Sequence, residues 1–223
     1  MIQAKTDSQI QLDVLRELKW DSRVDETEIG VTADDGVVTL RGTVSSYAKR
    51  IAAQEAAHRV TGVLDVANDI EVKLPDSSER TDTEIAQAVR RAIEWDVWIP
   101  EDRIQSTVAN GWVTLEGFVS LLRERNDAER AVRQLAGVRG VTNKIVVNPP
   151  KVEPDDLRLV IEDALERRAE REAERINVAV SDGTVILTGR VRTWEEKRAV
   201  MGAVGHARGV RSVTDHLVIN PYM

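Results

Sequence analysis

Residues 36–46 read GVVTLRGTVSS, and the chain says this twice more, as GWVTLEGFVSL over residues 111–121 and GTVILTGRVRT over residues 183–193. The three openings lie 75 and 72 residues apart. Self-similarity at such a period outranks a length prior, so the 223 residues divide into three units of roughly 70 residues. Each is small, yet large enough for a core of its own.

Working outward, every copy opens on a turn pair: Asp35-Gly36, Asn110-Gly111 and Asp182-Gly183. These pairs favour the positive φ angles of a type I′ turn, the strongest short-range signal of a β-hairpin. On one side lies a short alternating strand, carried by Ile29 and Val31, then Ile104 and Val108, then Ile176 and Val178. On the other, the returning strand alternates through Val38, Leu40, Gly42 and Val44, matched by Val113, Leu115, Gly117, Val119 and by Val185, Leu187, Gly189, Val191.

Upstream, Ile10, Val14 and Leu18 recur as Ile85, Val89, Ile93 and as Leu157, Ile161, Leu165, the apolar stripe of a helix. Thr6 with Gln9 and Thr81 with Glu84 match a capping box, and Pro154 suits a first helical position. Downstream, a second helix starts near Tyr47, Leu122 and Trp194, with a small-residue face such as Ala53, Ala56 and Ala57. Gly62, Gly137 and Gly209 stand where a left-handed C-cap would end it. A last strand follows. The expected fold is α+β: three tandem αββαβ domains over residues 1–75, 81–148 and 153–221, each a three-stranded mixed sheet with two helices on one face. Linkers fall at residues 74–81 and 148–154, the second proline-rich and stiff. The run ERRAEREAER at 166–175 lacks the Trp and Pro of the second copy and predicts a longer first helix with an ion-paired face.

Composition narrows the function classes. There are no cysteines, which excludes disulfides, thiolate nucleophiles and Cys-ligated metals. Net charge is -7 and no copy is basic, so the phosphate neutralisation behind nucleic acid binding is disfavoured. No stretch approaches the roughly 20 apolar residues of a membrane span, and no signal-like start is visible; a cytoplasmic location is the expectation, or a periplasmic one if a signal peptide has been removed. His58, His206 and His216 occupy unrelated repeat positions without ligand spacing. No acid pair recurs between copies, so neither a catalytic residue, a metal nor a cofactor is expected.

The pattern V-x-L-x-G-x-V, an alanine-rich helix and G-V-x-x-V-x-(Asn/Asp) resembles the BON (bacterial OsmY and nodulation) domain. It spans Val38 to Val44 and Gly62 to Asn68, Val113 to Val119 and Gly137 to Asn143, Val185 to Val191 and Gly209 to Asp215. The resemblance implies a non-enzymatic binding module, often periplasmic, associated with phospholipid surfaces in osmotic or envelope stress. It also admits a cytoplasmic alternative, a potassium sensor or protein-interaction scaffold.

Recurring glycines call for structural roles. Gly36, Gly111 and Gly183 serve the turns; Gly42, Gly117 and Gly189 are expected to let the small-residue helix approach the strand. Binding residues are sought where the copies differ. Strand parity sends Trp112 and Phe118 to the open sheet face, with Val146 beside them, where the other copies carry Val37 and Thr43 or Thr184 and Arg190. This face either meets a phospholipid surface or protein partner, or is covered by a neighbouring repeat. Trp98 is either packed or an interfacial anchor. Trp20 and Trp95 share one repeat position and are expected to plug the core at the helix end.

Overall fold

In a computed structural model of the chain, describing residues 5–75, 80–168 and 176–222, each turn pair adopts two successive positive φ angles. Asp35 and Gly36 lie at 48° and 77°, Asn110 and Gly111 at 52° and 77°, Asp182 and Gly183 at 47° and 76°. These are type I′ turns, whose twist matches that of the strands they join. The hairpins close tightly: Asp34 faces Val37, Ala109 faces Trp112 and Ser181 faces Thr184.

The first unit runs α1 (Asp7–Trp20), β1 (Ile29–Asp34), β2 (Val37–Val44), α2 (Tyr47–Arg59) and β3 (Asp65–Val72). The second runs α3 (Asp82–Trp95), β4 (Ile104–Ala109), β5 (Trp112–Val119), α4 (Leu122–Arg133), β6 (Gly140–Asn143) and β7 (Val146–Val147). The third runs α5 (Pro154–Arg168), β8 (Ile176–Ser181), β9 (Thr184–Val191), α6 (Trp194–Gly205) and β10 (Ser212–Ile219). In every unit the hairpin is antiparallel and the last strand joins it parallel to the second. The last strand of the second unit comes in two pieces, β6 and β7, both paired to β5. The α+β class and the αββαβ order agree with the sequence, as do both capping boxes and Pro154 at the head of α5. Most of the charged run, at 169–175, lies outside the described residues.

The three cores contain only aliphatic side chains. Ile10, Val14 and Leu18 of α1 pack with Val38, Leu40 and Val44 of β2 and the alanines of α2, and equivalent sets form the other two. Each Val, Leu or Ile among them is worth about 1.5–3 kcal/mol when fully buried. None of the eight aromatic residues belongs to these buried sets.

Three expectations need correction. Trp20 and Trp95 do not plug their cores; Leu18 and Ile93 already seal the helix ends, leaving both indoles in solvent. At Gly42 and Gly117 the close neighbour is not the helix. A Cβ there would lie 2.0 Å from the carbonyl oxygen of Glu28 or Arg103, the residue that leads into the first strand. Finally, the second helices end at Arg59, Arg133 and Gly205, before Gly62, Gly137 and Gly209. Those glycines form the following bend at φ 103°, 87° and 99°, and their bare α-carbons receive Ile10, Ile85 and Leu157 of the first helices.

The units join in a repeating way. Tyr47, which opens α2, packs on the second unit's core; Leu122, which opens α4, packs on the third unit's core. Trp194, which opens α6, returns to the first unit and stacks on His58 at 3.8 Å. The segments that follow the last strands obey the same rule. Leu74 shares a groove with Gly111 and Gly137, Val152 meets Gly209, and the Tyr222 hydroxyl meets Gly62. Unit one therefore grips two, two grips three, and three grips one: a closed pseudo-threefold ring.

Candidate functional site

Strand alternation and one glycine build the exposed face of the second unit. Val113, Leu115 and Val119 are fully buried, so Trp112 and Phe118 project from the opposite face, 52% and 55% exposed. Trp112 pairs with Gly140, where a Cβ would fall 2.3 Å from the indole Cζ3. The indole thus lies over a bare glycine, while the corresponding pairs are Val37 with Asp65 and Thr184 with Ser212. Phe118 pairs with Val146, itself 62% exposed, and the Arg103 guanidinium sits 5.9 Å from its ring centroid. Between the two aromatics, Glu116 and Lys144 form an exposed ion pair at 3.4 Å. Trp112 and Phe118 are six residues apart on β5, about 20 Å along a strand, so they bound the face without touching. Among the described residues both stay about half exposed.

A second exposed group follows α3. Trp95, Val97 and Trp98 are 85%, 87% and 61% exposed, within four residues of chain. Their presentation is fixed from below: Asp96 accepts the Trp98 N–H through its carboxylate and the Ile99 N–H through its carbonyl, and Ile99 is buried. The Arg123 guanidinium of α4 stacks 4.8 Å from the Trp98 ring. Because Ser120 at the end of β5 touches Arg103 and α4 begins two residues later, this loop and Phe118 share one end of the unit. Trp98 is thus held by a cation rather than buried.

The first unit shows what Trp98 replaces. At the matching position Arg23 binds Asp21 at 2.8 Å and Glu55 at 3.1 Å, and Arg59 also holds Asp21 at 2.8 Å. These guanidinium contacts, Arg23 first, hold the buried Asp21 carboxyl well below the usual range despite the opposing effect of burial. In the second unit that polar knot gives way to an indole. Trp20 keeps the position of Trp95 and is likewise mostly exposed. Trp95 and Trp20 are candidate binding residues expected in the core, and Val97 is one that the sequence reading did not single out. Their solvent position follows from Ile93 and Leu18 already filling the core.

Catalytic or metal-binding constellations find little to build on. Asp7, Asp34 and Asp35 are the one group of three potential ligands that converge among the described residues. Asp7 is already committed, accepting the Asp35 and Gly36 N–H groups at 3.1 and 3.0 Å, as Asp82 does for Asn110 and Gly111. His58 stacks on Trp194, while His206 contacts the Gly202 carbonyl. No helix among the described residues is long and apolar enough to cross a membrane.

Comparison with known proteins agrees with this architecture. The chain is 28% identical to osmotically-inducible protein Y of Escherichia coli (strain K12) over 145 residues, covering 62% of this chain and 71% of that protein. CdsD, a structural protein of the type III secretion system of Chlamydia trachomatis, aligns over 94% of this chain and 91% of its own. Its identity is 13% and its TM-score 0.27, too low to equate the two shapes. The BON domain family matches three times, at residues 6–73, 81–149 and 155–221. With three copies across nearly its whole length, the chain belongs to the BON domain family.

Proposed function

We propose that this protein is a non-catalytic module that attaches to phospholipid surfaces, in the context of osmotic or envelope stress. The observation that carries this reading is the exposure of Trp95, Val97 and Trp98 together. Indole favours the boundary between headgroups and acyl chains, where its apolar body and N–H are both satisfied. Arg123 stands against Trp98 and Arg103 against Phe118, and both would meet anionic headgroups. Phe118, Val146 and Trp112 extend the surface along the sheet face. The relationship to osmotically-inducible protein Y supports the stress context.

The ring supports multivalency. Symmetry-equivalent positions of a three-membered ring lie at one level along its axis. Trp20, Trp95 and Arg167 occupy such positions, being the second residue after Leu18, Ile93 and Leu165. All three are exposed. Two indoles and a guanidinium thus stand exposed at equivalent positions of three linked units, and linked weak contacts raise avidity without new chemistry. The test is co-sedimentation of the full chain with phosphatidylcholine vesicles, with and without phosphatidylglycerol. Binding strengthened by the anionic lipid is expected. Replacing Trp95 and Trp98 by Ser should weaken it at least about tenfold. Absence of binding to both vesicle types sinks the proposal.

A further inference from the structure

The ring closes through one seam that no linker spans. Units one and two are joined by the chain between β3 and α3, and units two and three by the chain between β7 and α5. Unit three meets unit one only by contact. His58 of α2 lies flat on Trp194 of α6, with centroids 3.8 Å apart and planes 13° from parallel, and the Lys5 N–H donates to the Tyr222 hydroxyl at 2.9 Å. The position of Trp194 is occupied by Tyr47 and Leu122 at the other two seams, neither of which stacks on a histidine. Unit three thus presents an indole where unit one presents an imidazole, and this seam carries a ring whose ordinary pKa lies near neutrality.

We propose that the contact between His58 and Trp194 is an acid-released latch: it holds the three units as a closed ring near neutral pH and lets units one and three part as His58 takes up a proton. The seam suits the neutral imidazole. His58 Nε2 is buried without a hydrogen-bond partner, so a proton there would enter an apolar contact with nothing to accept it. The charged groups around the ring come from three elements. Arg198 and Lys197 face it from α6 and oppose protonation, whereas Asp65 of β3 and Glu55 of α2 favour it. Glu17 and Asp21 of α1 are engaged by Arg59. Burial, reinforced by Arg198, holds the imidazole down at about 4 from an ordinary 6.5.

The sign follows from linkage. A base whose pKa is lower in the closed state binds its proton more tightly in the open state, so acid favours opening. Closure is fully supported above about pH 7 and loses support as pH falls through the open-state value of about 6.5. The loss continues down to the closed-state value near 4. Between pH 7 and 5 the opening equilibrium should shift by roughly tenfold, after allowance for the partial exposure of the ring. The latch concerns the units themselves and stands whatever ligand the exposed face takes.

Since the chain has no cysteine, a distance across the seam can be read directly. Thr61→Cys and Glu195→Cys, both at exposed positions, would carry a donor and acceptor dye on the full chain without lipid. Energy transfer should be high at neutral pH and fall with acid, with a midpoint between about 4 and 6.5. His58→Phe keeps a flat ring for the stack and removes the titration, so its transfer should stay high across that range; Trp194→Ala should lower transfer already at pH 7. Far-ultraviolet circular dichroism on the same samples separates opening from unfolding. Transfer unchanged down to pH 4, or a His58→Phe chain that opens at the same midpoint as the parent, overturns the proposal. Loss of secondary structure in step with the loss of transfer does so as well.

Discussion

At the scale of single residues, backbone geometry is what the three copies hold in common. Gly42 and Gly117 recur because a strand must pass against a carbonyl oxygen where no side chain fits. Gly117 has φ of 127°, and its hypothetical Cβ meets backbone rather than a yielding side chain. Gly117→Ala should therefore cost at least about 2 kcal/mol, read from the midpoint of denaturant unfolding. A change below about 0.5 kcal/mol would mean that the β4 entrance yields freely. The need for glycine was legible in the sequence, but its neighbour was not. A strand glycine next to a small-residue helix suggests contact between the two, and nothing local reveals a carbonyl brought in by the preceding strand. The misplaced Trp20 and Trp95 have a similar cause: helical periodicity gives a face, but not the point where the core is already full.

At the scale of elements, side chains tie pieces that the sequence pattern shows only separately. Asn143 of β6 donates to the Arg125 carbonyl and Glu129 carboxylate of α4, and Asn68 makes the matching contacts with Arg50 and Gln54. In the third unit an ion pair, Lys197 with Asp215 at 2.8 Å, takes their place. The motif's Asn/Asp was visible in the sequence, while its partner on the helix emerged only from the fold. The carboxylates of Asp7 and Asp82 likewise fasten the hairpin turn to the first helix; the third unit has Pro154 at that position and forgoes the tie. Asp82→Ala should destabilise the protein by about 1–2 kcal/mol through the loss of two backbone N–H partners. Asp155→Ala, one position further along in the third unit, should stay within about 0.5 kcal/mol. Equal effects in thermal or chemical unfolding would contradict this assignment.

At the scale of the whole molecule, repetition fixed the number and class of the units, because the turns, stripes and strand alternation are local signals that agree with one another. The ring was not legible. It depends on Tyr47, Leu122 and Trp194, three chemically different residues at one repeat position, and on segments after the last strands that look like plain linkers. The same limit applied to function: recurring positions describe the fold, and the proposed binding surface rests on the aromatic exceptions of the second unit. Under the proposed function the Trp95–Trp98 loop enters the headgroup region. The most direct test is tryptophan quenching by vesicles whose phospholipids carry bromine near the headgroup end of the acyl chains. Marked quenching of the parent chain is expected, clearly reduced in Trp95→Phe/Trp98→Phe, with the remainder coming from Trp112 and the other indoles. Quenching absent from the parent, or undiminished in the double variant, would contradict it.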